Sequence, residues 1–258
     1  MFAYLLKKEK TLQNQFHLYG TLYSELNTHF QPIFSAKSGA VFGYEALMRH
    51  RSKSLNIKKL FLEAKKNGSI LLLDLIGRFN AIKRASELRM DTYLFINICP
   101  EVLSHPEHKP GLTDQIAEAL EFSKDKIVLE VTEHSAIENC ELFLKAVNFY
   151  KERGYKIALD DFGAGCIGPK LLTLFELDFI KIDQYFIQTI EEHSFSKIFV
   201  EFIVTICKDL NITTVAEGIE NERQLNHILT LGVDLLQGFY LGRPNENLYV
   251  PQYQFPYM

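Results

Sequence analysis

The feature that most constrains this chain is an alternation. Short β-branched or apolar runs are separated, from residue 29 to residue 237, by amphipathic stretches of helical length. The runs are HFQPIFSA (29–36), AVFGYEALM (40–48), TYLFINI (92–98), KIVLEVT (126–132), KIALD (156–160), DFIKID (178–183), ITTVAE (212–217) and VDLLQ (233–237). The stretches 57–67, 70–89, 111–122, 137–153, 194–210 and 221–231 read as helices. A helix-length crossover between two strands requires parallel pairing. The first two runs escape this rule, because Lys37, Ser38 and Gly39 join them in a tight turn that makes them antiparallel. Eight strands alternating with helices over about 230 residues predict an α/β fold closed into a barrel. A doubly wound open sheet competes on element order, but it needs a Gly-rich phosphate loop after an early strand, and none is present. Residues 1–26 read as an N-terminal helical extension and 27–250 as one barrel domain.

With 258 residues and 47% apolar content, the chain can bury one large core. Its net charge is −4, with 28 basic and 32 acidic residues interspersed. That balance provides no footprint for a DNA or RNA duplex or an anionic membrane. A phosphate-bearing ligand must then be drawn in locally, by bound cations or a few placed basic groups. Cys99, Cys140, Cys166 and Cys207 lie far apart without a CxxC pair, so they read as reduced thiols rather than zinc ligands or disulfides. No run approaches about 18 apolar residues, and the N-terminus lacks a basic leader and a cleavage site. A cytoplasmic location is the expectation.

In a barrel the C-terminal strand ends converge on one face, where active sites form. Glu45 closes the second run, Asn97 the third, and Glu130 and Glu133 the fourth. Asp160 and Asp161 close the fifth, Lys181 and Asp183 the sixth, Glu217 and Glu220 the seventh, and Gln237 the eighth. Any one Asp or Asn at a strand-to-helix junction has a plainer reading as a helix N-cap. That reading does not cover Glu130 within IVLEV, where an unpaired buried carboxylate is costly. Nor does it cover a repetition over seven strands. Carboxylates packed into one mouth repel unless cations sit among them. Oxygen donors with an Asn carbonyl suit Mg²⁺ or Mn²⁺ rather than zinc. Adjacent Asp160 and Asp161 suit two ions about 3.5–4 Å apart, an arrangement that supports in-line phosphoryl displacement. Lys181 can bring positive charge to the transition state or the attacking water. Other chemistries lack their signatures: there is no GxSxG elbow, P-loop or HExxH. His105 and His108 share a loop without a third ligand nearby. A glycosidase does not need this set, and the chain has no Trp to stack a sugar.

At these residues the sequence resembles the EAL family of cyclic dinucleotide phosphodiesterases. The resemblance runs from about Phe30 to Pro244. It is carried by Glu45-Ala46-Leu47 within YEALMR, NICP (97–100), LEVTE (129–133), LDDFGAG (159–165), KID (181–183), AEGIE (216–220) and QGFYLGRP (237–244). It implies a modified TIM (β/α)8 barrel with an antiparallel first strand. It also implies two Mg²⁺ or Mn²⁺ ions per site, the first held by Glu45, Asn97, Glu130 and Asp160. The second would lie among Asp160, Asp161 and Glu217, supported by Asp183. By the same resemblance Lys181 contacts the attacking water, Gln237 orients water or ligand, and Glu217 shares in the catalytic set. Arg49, Leu47, Glu220 and Pro244 are implied as contacts to the nucleotide, and Glu133 as the anchor of the loop after Asp161.

The sequence departs from the family pattern in three places. Cys99 stands where Ser is usual, and Phe239 stands where QGY is usual. After DDFGAG the chain continues Cys166-Ile167-Gly168-Pro169 in place of Tyr-Ser-Ser, in the loop that resembles the family's link between metal binding and dimer contacts. The leading expectation is hydrolysis of cyclic di-GMP to linear pGpG. A barrel that binds cyclic di-GMP as a signalling module without turnover is the alternative, and hydrolysis of another phosphodiester a third. A homodimer and a separate regulatory protein stay open as partners.

Overall fold

The long hairpin sets the frame. Strand β1 (Leu26–Ser35) pairs antiparallel with β2 (Val41–His50), from Leu26 opposite His50 to Phe34 opposite Val41, with a register shift between Ile33 and Phe34. A computed structural model describes this chain over residues 25–51, 56–99, 102, 111–133, 140–165 and 172–248. Of the expected N-terminal helical extension over residues 1–26, residues 1–24 lie outside the described ones, and Leu26 already belongs to β1.

After the hairpin the chain alternates as the pattern requires. Helices α1 (Ile57–Lys66) and α2 (Ile70–Glu87) lead to β3 (Tyr93–Asn97), and α3 (Leu112–Ala119) leads to β4 (Ile127–Thr132). Helix α4 (Cys140–Lys151) precedes β5 (Lys156–Phe162), which is followed by β6 (Phe179–Ile182). Then come α5 (Gln184–Gln188), α6 (Ser194–Asp209), β7 (Thr213–Ala216), α7 (Glu222–Leu231) and β8 (Leu235–Leu236). Strands β2 to β8 pair parallel with their neighbours, and β1 closes the ring by pairing antiparallel with β8 through Phe34 opposite Leu236. The result is a closed eight-stranded barrel wrapped by helices. Among the described residues, no helix is long and apolar enough to cross a membrane.

Side chains at alternate strand positions share a face. One interior set is apolar: Ile33, Phe95, Val128, Ala158, Phe179, Val215 and Leu235 pack together as a plug, with Phe95 edge-on to Phe179 at 5.2 Å. The outward faces pack with α2 and the other helices into the main core, where Ile76 and Ile82 are fully buried. The plug is the floor on which the next interior layer stands.

Candidate active site

Two residues from each plug position, towards the barrel mouth, the interior turns polar. From Phe95 this step reaches Asn97, from Val128 Glu130, from Ala158 Asp160, from Phe179 Lys181, from Val215 Glu217, and from Leu235 Gln237. Strand β2 contributes Glu45. Strand β1 runs the opposite way, so its mouth-side residue lies before Ile33: it is Gln31, paired in register with Glu45. Every strand thus places one polar side chain in a single layer. Gln31 is the member that strand-end reading misses, since the mouth end of an antiparallel strand is its N-terminal half. Its signal was present as a lone amide between Phe30 and Pro32. Glu45 also sits differently from the expectation. It lies in the middle of β2, because the hairpin extends five residues past the layer to His50.

Lys181 is the hub. Its side chain is 1% exposed, and Nζ lies 2.7 Å from Glu217 Oε1, 2.8 Å from Glu130 Oε1, 3.0 Å from Asp160 Oδ1 and 3.4 Å from Glu45 Oε2. Glu45 is held from two further sides, accepting from Gln237 Nε2 at 2.7 Å and Asn97 Nδ2 at 3.1 Å. Asn97 Nδ2 also reaches Glu130 Oε2 at 3.2 Å. The carboxylates of Asp160, Asp161 and Glu217 approach one another within 4.8 Å.

One ammonium among the layer's four carboxylates, with Asp161 beside them, leaves the site short of positive charge. The protonation equilibria record this. Burial, reinforced by neighbouring carboxylates, raises Glu130 and Glu217 well above the usual carboxylate range despite the attraction of Lys181. Burial and the charges of Asp160 and Asp183 push Asp161 up to about 6. For Lys181, burial alone would favour deprotonation, but Asp160, Glu130, Glu217 and Glu45 outweigh it and keep the group charged.

The donor set fits divalent cations. It is all oxygen, dense in anions and built on rigid strands, which matches hard ions of the Mg²⁺ class. Asn97 turns its nitrogen to Glu45 and Glu130, and an amide rotation of about 180° would offer its oxygen instead. Gln237 Oε1 is buried without a hydrogen-bond partner, an acceptor left over on the layer.

Glu133 stands behind the layer. Its Oε2 accepts from Gly163 N at 2.8 Å and Gly165 N at 3.1 Å, so it grips the segment that follows Asp160 and Asp161. Asp161 has φ 54° and Gly163 φ 99°, and a Cβ on Gly163 would lie 2.5 Å from Phe186. The backbone here is tightly constrained, and only glycine fits at 163. Residues Cys166, Ile167, Gly168 and Pro169 lie outside the described ones.

The remaining expected residues separate. Asp183 caps α5 by accepting from Tyr185 N at 2.8 Å, so the plain capping reading is realised there, although its charge is still felt by Asp161. Two cavities flank the layer. One of about 340 Å³ is lined by Glu45, Asp160, Asp161, Glu217, Glu220 and Phe239 among others. The other, of about 510 Å³, is lined by Arg49, Phe61, Asn97 and Cys99 among others. Glu45 and Leu47 line both, whereas Pro244 lines neither. Glu220 is exposed and accepts from Gln188 Nε2 at 3.2 Å.

The buried charge gives a stability prediction. Because the folded-state pKa of Glu130 is raised, its ionised form is penalised in the fold at pH values above that pKa. The penalty fades as pH falls and is gone below the unfolded-state value of about 4.3. Glu130→Gln therefore raises the melting temperature of the metal-free protein at pH 7.5, and the gain disappears by about pH 4. Thermal melts in chelator at both pH values check this; a drop in melting temperature at pH 7.5 contradicts it.

The structure is thus a closed α/β barrel with an antiparallel first strand and a carboxylate-rich mouth around one lysine. The chain belongs to the EAL domain family, whose profile matches residues 13–244. It is 31% identical over 233 residues, 85% of this chain, to the bifunctional diguanylate cyclase/cyclic di-GMP phosphodiesterase MucR of Pseudomonas aeruginosa. It covers 33% of that protein, and it spans about a third of the length of the first curated relatives it matches. Two solved structures cover more evenly. The PaMucR phosphodiesterase in complex with c-di-GMP superposes with a TM-score of 0.81 at 26% identity, over 90% of this chain and 96% of that one. A standalone EAL protein from Vibrio cholerae O395, in its c-di-GMP-bound form, gives 0.79 at 30% identity, over 87% and 94%.

Proposed function

We propose that this chain hydrolyses cyclic di-GMP to linear pGpG in the cytoplasm, using two Mg²⁺ or Mn²⁺ ions held in the polar layer. The observation that carries the reading is the convergence of Glu45, Glu130, Asp160 and Glu217 on the single buried ammonium of Lys181. Buried carboxylates in that number are expensive unless cations share them. The two cavities meeting at Glu45 and Leu47 give room for a ligand with two arms and a phosphodiester between them.

Glu45, Asn97, Glu130 and Asp160 are the residues to hold one ion, and Asp160, Asp161 and Glu217, with Asp183 behind them, the other. When bound, the ions supply water activation and charge stabilisation at the leaving oxygen. The chain's own residues do the rest. Lys181 keeps a fixed positive charge on the floor of the site, where the phosphoryl oxygens gain charge in the transition state. Gln237 steadies Glu45 through Nε2 and presents Oε1 to orient a water. Leu47, Arg49, Glu220 and Pro244 are the proposed nucleotide contacts, Arg49 and Leu47 from the larger cavity. The test is turnover of cyclic di-GMP with Mg²⁺, Mn²⁺ or Ca²⁺ and in chelator. Mg²⁺ or Mn²⁺ supports hydrolysis, while Ca²⁺ permits binding with little turnover because its coordination is looser and its Lewis acidity weaker. Full activity in chelator overturns the metal assignment.

Glu133 fixes the segment bearing Asp161 through two backbone N–H groups. Glu133→Ala should therefore weaken metal affinity by about 10- to 100-fold, the usual cost of losing a group that orients a ligand. High Mg²⁺ or Mn²⁺ should restore part of the activity. A metal titration of activity checks this, and an unchanged half-saturation concentration contradicts it.

A further inference from the structure

Asp74 and Arg78 form a buried ion pair within α2, outside the polar layer, with side chains 2% and 0% exposed. Burial alone would lower the Arg78 pKa, but Asp74 and Tyr150 more than offset it, so the guanidinium stays charged. A buried ion pair adds little net stability over apolar side chains of the same volume. Packing alone therefore does not account for this one.

What the pair holds is specific. Asp74 Oδ2 faces the Arg78 guanidinium, while Oδ1 accepts from Cys99 N at 2.7 Å. Arg78 Nη1 donates to Thr113 Oγ1 on α3 at 2.6 Å and to Tyr150 Oη on α4 at 3.3 Å. Three helices are thus tied, through one carboxylate, to the backbone two residues after Asn97. The residue between is held as well, since Ile98 N donates to Glu130 O at 2.9 Å. Asp74, Asn97, Ile98 and Cys99 all line the larger cavity, so the clamp lies at its wall.

Asn97 is the exposed end residue of β3, and its amide must turn about its last bond for the oxygen to replace the nitrogen that now meets Glu45 and Glu130. That turn delivers the oxygen to a set place only if the backbone stays still. Ligating groups must be held within about 0.5 Å of their working geometry.

We propose that Asp74, backed by Arg78, is a positioning residue for the cation assigned to Glu45, Asn97, Glu130 and Asp160; the assignment rests on the two-metal reading above. Asp74 reaches Asn97 only through the main chain at Cys99, much as Glu133 grips the main chain after Asp161.

The experiment is Mn²⁺ binding to the full, metal-free chain at pH 7.5 without substrate, read from the electron paramagnetic resonance of free Mn²⁺. Two double variants isolate the hydrogen bond from the charge. Asp74→Leu with Arg78→Met replaces the ion pair by apolar groups of similar volume and removes the acceptor. Asp74→Asn with Arg78→Met also removes both charges but keeps an oxygen for Cys99 N. The Leu/Met variant is expected to weaken one of the two Mn²⁺ sites by about 10- to 100-fold, as when a group that orients a ligand is lost. The other site should stay within about threefold, since the clamp does not touch its donors. The Asn/Met variant should bind both ions within about threefold of wild type, because the bond to Cys99 N persists. Melting temperatures in chelator establish that the variants fold. Asp74→Glu serves if the Leu/Met variant does not: it keeps the charge and the pair, but its longer arm displaces the oxygen, so the same site should weaken by about 10-fold. Unchanged Mn²⁺ affinity in the Leu/Met variant, or in Asp74→Glu where that variant stands in, overturns the positioning role, and so does equal weakening in the Asn/Met variant. A wild-type chain that binds no Mn²⁺ overturns it together with the two-metal reading. A wild-type chain that binds two Mn²⁺ without hydrolysing cyclic di-GMP overturns the hydrolase reading alone.

Discussion

Glu45→Ala or Asp160→Ala will lower turnover of cyclic di-GMP by at least about 1,000-fold, about 4 kcal/mol of barrier, while the chain stays folded. Glu45 is the carboxylate on which Lys181, Gln237 and Asn97 all converge, so its loss removes a cation donor and leaves its neighbours unsupported. Asp160 belongs both to the ion-pair cluster and to the group formed with Asp161 and Glu217, so its loss weakens both cation positions together. Neither side chain packs in the apolar core. Deleting one carboxylate from a crowded set relieves repulsion, so the metal-free melting temperature holds or rises. Turnover rates and thermal melts of the purified variants provide the check. Activity within about tenfold of wild type would remove these two residues from the site.

Lys181→Met is expected to reverse that pattern, costing stability as well as activity. Methionine fills much of the same space, but four carboxylates then face one another in a pocket whose cation is gone. Breaking a buried ion pair from one side typically costs about 3–5 kcal/mol. Here the carboxylates can take up protons, so the loss is smaller at low pH and grows as pH rises. Mg²⁺ or Mn²⁺ should recover much of the lost stability by supplying the missing charge. The readout is melting temperature in chelator and in millimolar Mn²⁺ at pH 6 and 8. A variant that melts like wild type in chelator at pH 8 would show that the lysine does not hold the layer together.

Much of the barrel was legible because strand and helix periods differ and each run is cleanly bounded. The expected run 126–132 became β4 over Ile127–Thr132, and the expected helix 194–210 became α6 over Ser194–Asp209. What escaped had little periodicity to read. Helix α5 is five residues long, under two turns, and is recognisable mainly by its Asp183 cap. Strand β8 shrinks from five expected residues to two, since the chain turns sharply at Gly238 against Ile219. In the site, the polar residues of the parallel strands could be seen because each interrupts an apolar run near its C-terminal end. Gln31 could not be found by that rule, because its strand runs the other way. Glu45 joins the layer from the middle of its strand rather than from its end, since the extent of a hairpin depends on pairing beyond the barrel. The fourfold contact of Lys181 is a property of barrel closure. It brings together residues from β2, β4, β5, β6 and the end of β7, up to 172 positions apart.

The most direct measurement is product analysis of the purified chain incubated with cyclic di-GMP and Mg²⁺ or Mn²⁺, with a parallel sample in chelator. Linear pGpG is the expected product, formed with metal and not without it. Tight binding of cyclic di-GMP with no product in either metal would contradict hydrolysis and make the chain a cyclic di-GMP-binding module.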